Sequence, residues 1–331
     1  MARVYSAMRP SGRLHLGNYF GALQNWVALQ DEFECVYGVA DVHALTTEVG
    51  EAARSIAPNT REMVLDWLAA GVDPDRSLLY VQSQAPEVLT LHTLLSMSTP
   101  LGWLMRVPTF KERVRQMNET EENVSYGLVG YPVLQTADII FAKAEWVPVG
   151  VDQAPHVELS REIVRRFNNL YGDTFPEPQV RLTESPSITG TDGANKMSKS
   201  LDNHIELAMS EEETRERVRT MVTDPQRARR ADPGRPWVCN VYAFHALFNP
   251  GRREEIYRLC TTAGIGCVDD KAILADGVND YFRAFRERRR EFETAPRLVD
   301  ETLAAGADRA RAIARETLRE VYDRIGLAPI P

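Results

Sequence analysis

Residues Arg3 to Asn18 read RVYSAMRPSGRLHLGN. The apolar run RVYSAM has the length and composition of a strand, and it stops at the turn residues Pro10-Ser11-Gly12. A helix opens near His15, because Leu16, Phe20, Leu23 and Val27 recur at i, i+4, i+7 and i+11 and so share one face. A strand that hands over directly to a helix presents a helix N-terminus at the end of a sheet. Its unpaired N–H groups and positive dipole end suit a phosphate. Gly17 lets a ligand come close to the backbone, and His15 can donate to a phosphate oxygen. On this segment alone, a plain helix start with an exposed histidine explains the residues equally well.

Outward from that segment, short apolar runs alternate with helical patterns. CVYGVA (Cys35 to Ala40) is a second strand, SLLYVQS a third and WVPVG (Trp146 to Gly150) a fourth. Helices are expected over Glu51 to Ala70, with Gly71 as C-cap, and from about Gln153 to Tyr171. This alternation predicts an α/β fold with a doubly wound, Rossmann-like parallel sheet, whose ligands bind at the carboxyl ends of the strands. The stretch Thr183 to Asn203 is rich in Ser, Thr, Gly and Pro and reads as a loop. From Ser210 the pattern is nearly all helical, with breaks near Asp232-Pro233-Gly234, Asn249-Pro250-Gly251 and Ala295-Pro296. The expected organisation is a nucleotide-type α/β domain over 1–185, a loop over 186–205 and an all-helical domain over 206–331. The last helix can pack back on the α/β domain.

Composition narrows the class. At 331 residues, 44% apolar and 26% charged, the chain can form two domains with a sizeable core. MARVYSAMRP lacks the charged-then-apolar layout of a signal peptide, and no run approaches the length of a membrane helix. The four cysteines include no C-x-x-C pair, which favours a reducing compartment, so a cytoplasmic location is expected. A net charge of −8 argues against nucleic-acid binding over the whole surface and leaves room for a local basic face.

The loop contains ANKMSKSLDN, Ala194 to Asn203. Only five lysines stand in the chain against thirty-four arginines, and two of them, Lys196 and Lys199, lie three residues apart here. A lysine is a compact point charge on a mobile stem, suited to a polyphosphate on which charge develops during transfer. A solvated basic loop is the plainer reading.

HLGN after the first strand and KMSKS after the fourth resemble the paired signatures of class I aminoacyl-tRNA synthetases. DVHALT (Asp41 to Thr46), YPVLQTADI (Tyr131 to Ile139) and VPVGVDQAPHVELSREIVRRFN (Val147 to Asn168) narrow the resemblance to bacterial tryptophanyl-tRNA synthetases, end to end. The resemblance implies formation of tryptophanyl-adenylate from L-tryptophan and ATP with Mg²⁺, followed by transfer to tRNA(Trp), in a homodimer. It places Arg9, Pro10, Ser11, Gly17 and Asn18 around ATP, and Gly150, Val151, Asp152 and Gln153 at the adenosine. It adds Ile188, Met197 and Ser200 to the nucleotide site, with Lys196, Ser198 and Lys199 on the pyrophosphate. His15 and Lys111 join the two lysines as catalytic residues. For the amino acid it implies Asp138 on the indole N–H, with Tyr131, His43, Tyr5, Gln135, Val147 and Val149 around it.

Asp138 has its own chemical logic. It sits in the apolar helix LQTADIIF, where an unpaired buried carboxylate would cost several kcal/mol, and an indole N–H is a pure donor. A buried structural salt bridge is the alternative. Ala7, Arg9 and Gln135 depart from the pattern of the best-known members, which have Gly, Gln and Met there. The helical domain would bind the anticodon region. Its candidates are the cluster Arg227, Arg229, Arg230 and Arg235, and the span Arg283 to Arg324, where eleven arginines face nine acids. A tryptophan-activating paralogue with an auxiliary role, a tyrosine-specific relative and a non-tRNA adenylyltransferase are the rival readings.

Some bacterial members hold an iron–sulfur cluster on four cysteines. Here Cys239, Cys260 and Cys267 keep a similar frame, and Asp270 stands in the fourth place. Carboxylate is a harder, poorer donor for such iron than thiolate, so a remnant without a cluster is expected. Anaerobically purified protein should be colourless and carry no stoichiometric iron. A brown preparation with about four irons per chain would overturn this.

Overall fold

The computed structural model describes all residues except 117–119, 121–122, 184–187 and 329–331, together with the side chains of Pro108, Thr109, Arg113, Gln116 and Asp152. The expected boundary near 185 therefore lies outside the described residues, as does the Asp152 side chain. Five strands form one parallel sheet: β1 (Arg3–Met8), β2 (Glu34–Val39), β3 (Ser77–Val81), β4 (Trp146–Val149) and β5 (Gln179–Leu182), in the order β3-β2-β1-β4-β5. β1 pairs β2 in register from Arg3↔Glu34 to Met8↔Val39, and meets β4 at Val4↔Trp146. The strand order reverses between β1 and β4, so a crevice opens there at the carboxyl ends, where open α/β sheets bind ligands.

Period-2 alternation sorts the strand side chains onto two faces. Val4, Cys35, Tyr37, Leu79 and Val81 join one core with Leu16, Phe20, Leu23 and Trp26, the helix Ile56–Ala70 and the long helix Cys267–Thr294. Tyr5, Val36, Leu78 and Tyr80 join the other with the helices Pro86–Ser96, Tyr126–Ile140 and Ala154–Tyr171. The C-terminal helix Pro296–Ile325 completes that second layer through Ala310, Ala314, Leu318 and Val321. It lies so close to β3 that a Cβ at Gly306 would fall 1.6 Å from the Leu79 carbonyl oxygen, so only glycine fits.

Several sequence expectations are refined. The first helix is interrupted by a π-turn at Tyr19–Leu23 between Leu16–Asn18 and Gln24–Leu29. The helix expected from Glu51 begins as a 3-10 turn, Ala52–Ser55, before Ile56–Ala70, and Gly71 caps it at φ 107°. The fifth strand was not anticipated. It is a short, half-exposed edge strand, and its strand character comes from pairing with β4.

Candidate active site

The turn after β1 is held from several sides. Gly12 adopts φ +79°, and a Cβ there would come within 2.9 Å of Asn59 Oδ1 and 3.3 Å of Lys199 Nζ. The Leu14 N–H donates to Asp66 Oδ2 at 2.5 Å, and the Leu14 carbonyl accepts from the Leu207 N–H at 2.8 Å. The Leu16 N–H donates to the Ile205 carbonyl at 3.0 Å. Residues beyond the lysine loop thus pair with residues flanking His15. The His15 N–H donates to Asn18 Oδ1 at 3.1 Å, closing the helix start. Gly17 also makes room for the His15 ring, since a Cβ would meet Cε1 at 2.9 Å.

The lysine loop is organised by Asn203. Its Oδ1 accepts from the Ser198 N–H at 2.7 Å, and its amide donates to Asp192 Oδ2 at 2.9 Å and the Lys196 carbonyl at 3.3 Å. Donors from Asn203, Asn195 and Ala194 hold the Asp192 carboxyl well below the usual carboxylate range. Ile188 and Met197 are buried and bonded to each other, Met197 N–H to Ile188 carbonyl, at 2.9 Å. Ser198 Oγ accepts from the Leu201 N–H at 3.3 Å and lies 2.9 Å from Ser200 Oγ. Anchored this way, Lys196 remains exposed and Lys199 reaches the first turn. Lys199 Nζ donates to the Ser11 carbonyl at 2.6 Å and lies 3.8 Å from Glu206 Oε1. Burial pushes its pKa down, with Glu206 and Asp66 opposing. The two signatures, far apart in sequence, are in contact.

Burial, followed by the charges of His204, Lys199 and Lys196, lowers the His15 pKa from 6.5 to about 4. The imidazole is therefore neutral at neutral pH. A histidine whose pKa is lower in the folded chain stays neutral where the unfolded chain takes up a proton. The contribution of His15 to stability should hold above about pH 6.5, fall between about 6.5 and 4, and level off below. Urea unfolding across that window should show the wild type losing up to about 3 kcal/mol more than His15→Gln. Parallel curves for the two proteins would refute the shift.

Asp138 is 1% exposed. Gln82 Nε2 donates to both its oxygens at 2.8 Å, and His43 Nε2 lies 2.9 Å from Oδ2. Neither partner is a lysine or arginine. A carboxylate has about four acceptor positions, so capacity remains for one more donor. The Tyr5 and Tyr80 hydroxyls lie 3.4 Å apart, and burial and then the Asp138 charge raise both phenols. Val147 is buried and Val149 half-buried on the Tyr5 face, and Gln135 is half-buried on the Asp138 helix. Ala7 stands beside Gly38 in register, where a Cβ would meet the Tyr80 ring at 3.0 Å and the Tyr5 hydroxyl at 3.1 Å. The missing side chain at Gly38 leaves room for the Tyr80 ring and the Tyr5 hydroxyl.

A cavity of about 230 Å³ opens between Val42, Leu45 and Thr46 on one side and Tyr126, Tyr131 and Leu134 on the other. Tyr131 is in its wall, and its hydroxyl lies 2.5 Å from His156 Nε2. Arg9 donates to Thr47 Oγ1 and to the Ala44 carbonyl, so it reaches toward the segment after β2. Pro10 is buried beside it. Gly150 and the exposed Val151 lead from β4 into Ala154–Tyr171, with the Gln153 N–H on the Gly150 carbonyl at 3.0 Å. Lys111 is exposed on the helix Pro108–Gln116, which packs through Phe110 and Val114 on its own small cluster.

Gln82, Asp66, Asn203, His204 and Glu206 were missed from sequence. Asp66, in the apolar stretch VLDWLA, carried the same signal as Asp138: a carboxylate on a buried helix face. In the helical region Asp270 turns to His245, Oδ1 to Nε2 at 3.0 Å. Arg227 Nη1 lies 3.7 Å from both Cys260 and Cys267 Sγ. These four positions do not fit a cluster: the fourth group is committed elsewhere, and a guanidinium sits against two of the thiols. Among the described residues no group of three or more His, Cys, Asp or Glu is arranged to hold a metal. Of the basic cluster, Arg235 forks onto buried Asp224, Arg230 pairs with Asp269, and Arg227 also donates to the Ile265 carbonyl. Arg229 is exposed. Among the described residues no helix is long and apolar enough to cross a membrane.

A family model described as tRNA synthetases class I (W and Y) matches residues 1–283. The tryptophan–tRNA ligase of Thermotoga maritima is 45% identical, covering 98% of this chain and 99% of its own length. That of Ralstonia nicotianae is 39% identical, covering 98% of each. The tryptophanyl-tRNA synthetase of Campylobacter jejuni, solved in complex with ADP and tryptophan, superposes with a TM-score of 0.88 at 35% identity, covering 98% of this chain and 100% of that one. With both signature segments in contact at the switch point of a parallel sheet, the chain belongs to the class I tRNA synthetases of the tryptophan and tyrosine group, among the tryptophanyl-tRNA synthetases.

Proposed function

We propose that this chain is a tryptophan–tRNA ligase, and that the contact between Lys199 and the Ser11 turn carries the reading. A carboxylate oxygen of tryptophan attacks the α-phosphorus of ATP, the bond to the bridging oxygen breaks, and pyrophosphate leaves. The nucleophile is already ionised, so the step needs positioning and charge stabilisation rather than a protein base. Arg9, Pro10, Ser11, Gly17 and Asn18 would surround the nucleotide with neutral His15, and Gly150 to Gln153 would meet the adenosine across the crevice. Lys196, Ser198 and Lys199 would take the charge leaving with pyrophosphate, assisted by Lys111. Ile188 and Met197 seat that loop, and Ser200 extends its donors.

Asp138 would accept the indole N–H, held in place by Gln82 and His43. Tyr131, Tyr5, Gln135, Val147 and Val149 would enclose the ring. Mg²⁺ enters with the nucleotide as MgATP. A terminal ribose hydroxyl of tRNA(Trp) then attacks the acyl carbon, the acyl–phosphate bond breaks and AMP leaves; the anticodon end of that tRNA would meet the helical domain over 206–331. The working form would be a cytoplasmic homodimer. ATP–pyrophosphate exchange measured with all twenty amino acids tests the first step: tryptophan alone should support it, and exchange led by tyrosine would refute the specificity. Charging of a tRNA(Trp) transcript by the same preparation separates a ligase from an amino-acid-activating paralogue.

A further inference from the structure

Both backbone groups of Leu14, the residue before His15, lead to a single turn of the long helix Cys267–Thr294. The Leu14 N–H donates to Asp66 Oδ2 at 2.5 Å, and Asp66 Oδ1 accepts from Arg289 Nε at 2.6 Å. The Leu14 carbonyl accepts from the Leu207 N–H at 2.8 Å, and the Leu207 carbonyl accepts from Arg286 Nε at 3.1 Å. Arg286 and Arg289 are one turn apart on the same helix. Asp66 is 0% exposed and Arg289 3%. Arg289 also donates to Glu62 Oε2 at 2.6 Å and to Glu293, and Glu62 receives Arg13 Nε at 2.9 Å.

A buried ionic network of this kind is a poor route to stability, since well-packed apolar side chains of similar volume do as well or better. What it supplies is direction. Each bond has one donor and one acceptor at fixed distance, so Leu14 cannot shift without breaking a buried bond. Asp66 is also close enough for its charge to act on Lys199 and Arg13. The same carboxylate therefore ties the turn, the second lysine and the long helix together.

We propose that Asp66, Arg289 and Arg286 are positioning residues: they clamp Leu14 from both sides and so set the phosphate-binding turn from the helical domain. This rests on the reading that the Ser11–Asn18 turn takes the nucleotide. A displacement of about 1 Å at a reacting centre can cost on the order of 100-fold in rate. The clamp should therefore appear in the ATP constants and not in the tryptophan constants.

The test uses the full chain carrying Asp66→Asn or Arg286→Gln, with ATP–pyrophosphate exchange corrected for folded fraction and Tm measured in parallel. Asp66→Asn keeps the shape, but its amide cannot accept from both Leu14 and Arg289. Arg286→Gln opens the other side without stranding a buried carboxylate. Each should lower kcat/KM for ATP by about 10- to 100-fold while leaving the tryptophan KM within about twofold. If both variants, or the one that folds, keep wild-type ATP constants and lose only Tm, the clamp is structural and the proposal fails. His15→Ala separates the two readings. If it too leaves the ATP constants unchanged, the turn is not the nucleotide site. A normal His15→Ala defect beside silent Asp66→Asn and Arg286→Gln removes the clamp alone.

Discussion

Lys199→Ala should lower kcat of tryptophan-dependent ATP–pyrophosphate exchange by about two to three orders of magnitude and leave the tryptophan KM within about threefold. The ammonium lies on the Ser11 carbonyl, half-buried, where burial already works against its charge. A charge held in such a place is worth most when negative charge develops nearby, and that happens as pyrophosphate departs. Interactions that strengthen only then appear in kcat. Lys196→Ala should act in the same direction from the exposed side of the loop. Lys199→Arg should rescue poorly, because the planar fork does not reproduce a compact ammonium. If Lys199→Ala raises only the ATP KM with kcat intact, the lysine is an electrostatic clamp on the ground state.

Asp138→Ala should reduce kcat/KM for tryptophan by about 100-fold and narrow the rejection of tyrosine and phenylalanine. Two losses combine. The indole N–H loses its acceptor, and Gln82, which donates to both carboxylate oxygens, is left buried with nothing to receive it. An unpaired buried polar group costs about 1–3 kcal/mol, so Tm should fall as well and must be measured beside the kinetics. Asp138→Asn separates the two losses, since it keeps the volume while removing the charge. Unchanged specificity constants in a folded Asp138→Ala protein would end the assignment of the indole contact.

Local pattern made much of this protein legible in its sequence. The strand–turn–helix at Arg3–Asn18, the alternation that yields a parallel sheet and the breaks at Asp232-Pro233-Gly234 and Asn249-Pro250-Gly251 depend on residues within a few positions of each other. Backbone propensity and apolar period decide such features before any tertiary contact forms. The lysine loop stood out by composition, and Asp138 by a carboxylate placed on an apolar helix. β5 did not stand out, because QVRL has no apolar run and owes its conformation to the neighbouring β4.

Tertiary structure alone decided what those groups touch. Asp138 meets Gln82 and His43 from 56 and 95 residues away, and Lys199 meets Ser11 across 188. Asp270, which stands where the resemblance puts a fourth cysteine, is paired with His245 by a helix packing that the sequence does not show. Arg9, grouped by position with the nucleotide, also donates to Thr47 and to the Ala44 carbonyl, partners that its place in the sequence does not announce. Leu14, an ordinary apolar residue in the sequence, has both backbone groups tied into the long C-terminal-half helix. The residue types settle which interactions are possible. The sheet order and the two packed layers settle which pairs come within about 3 Å, the only range at which a directional bond acts.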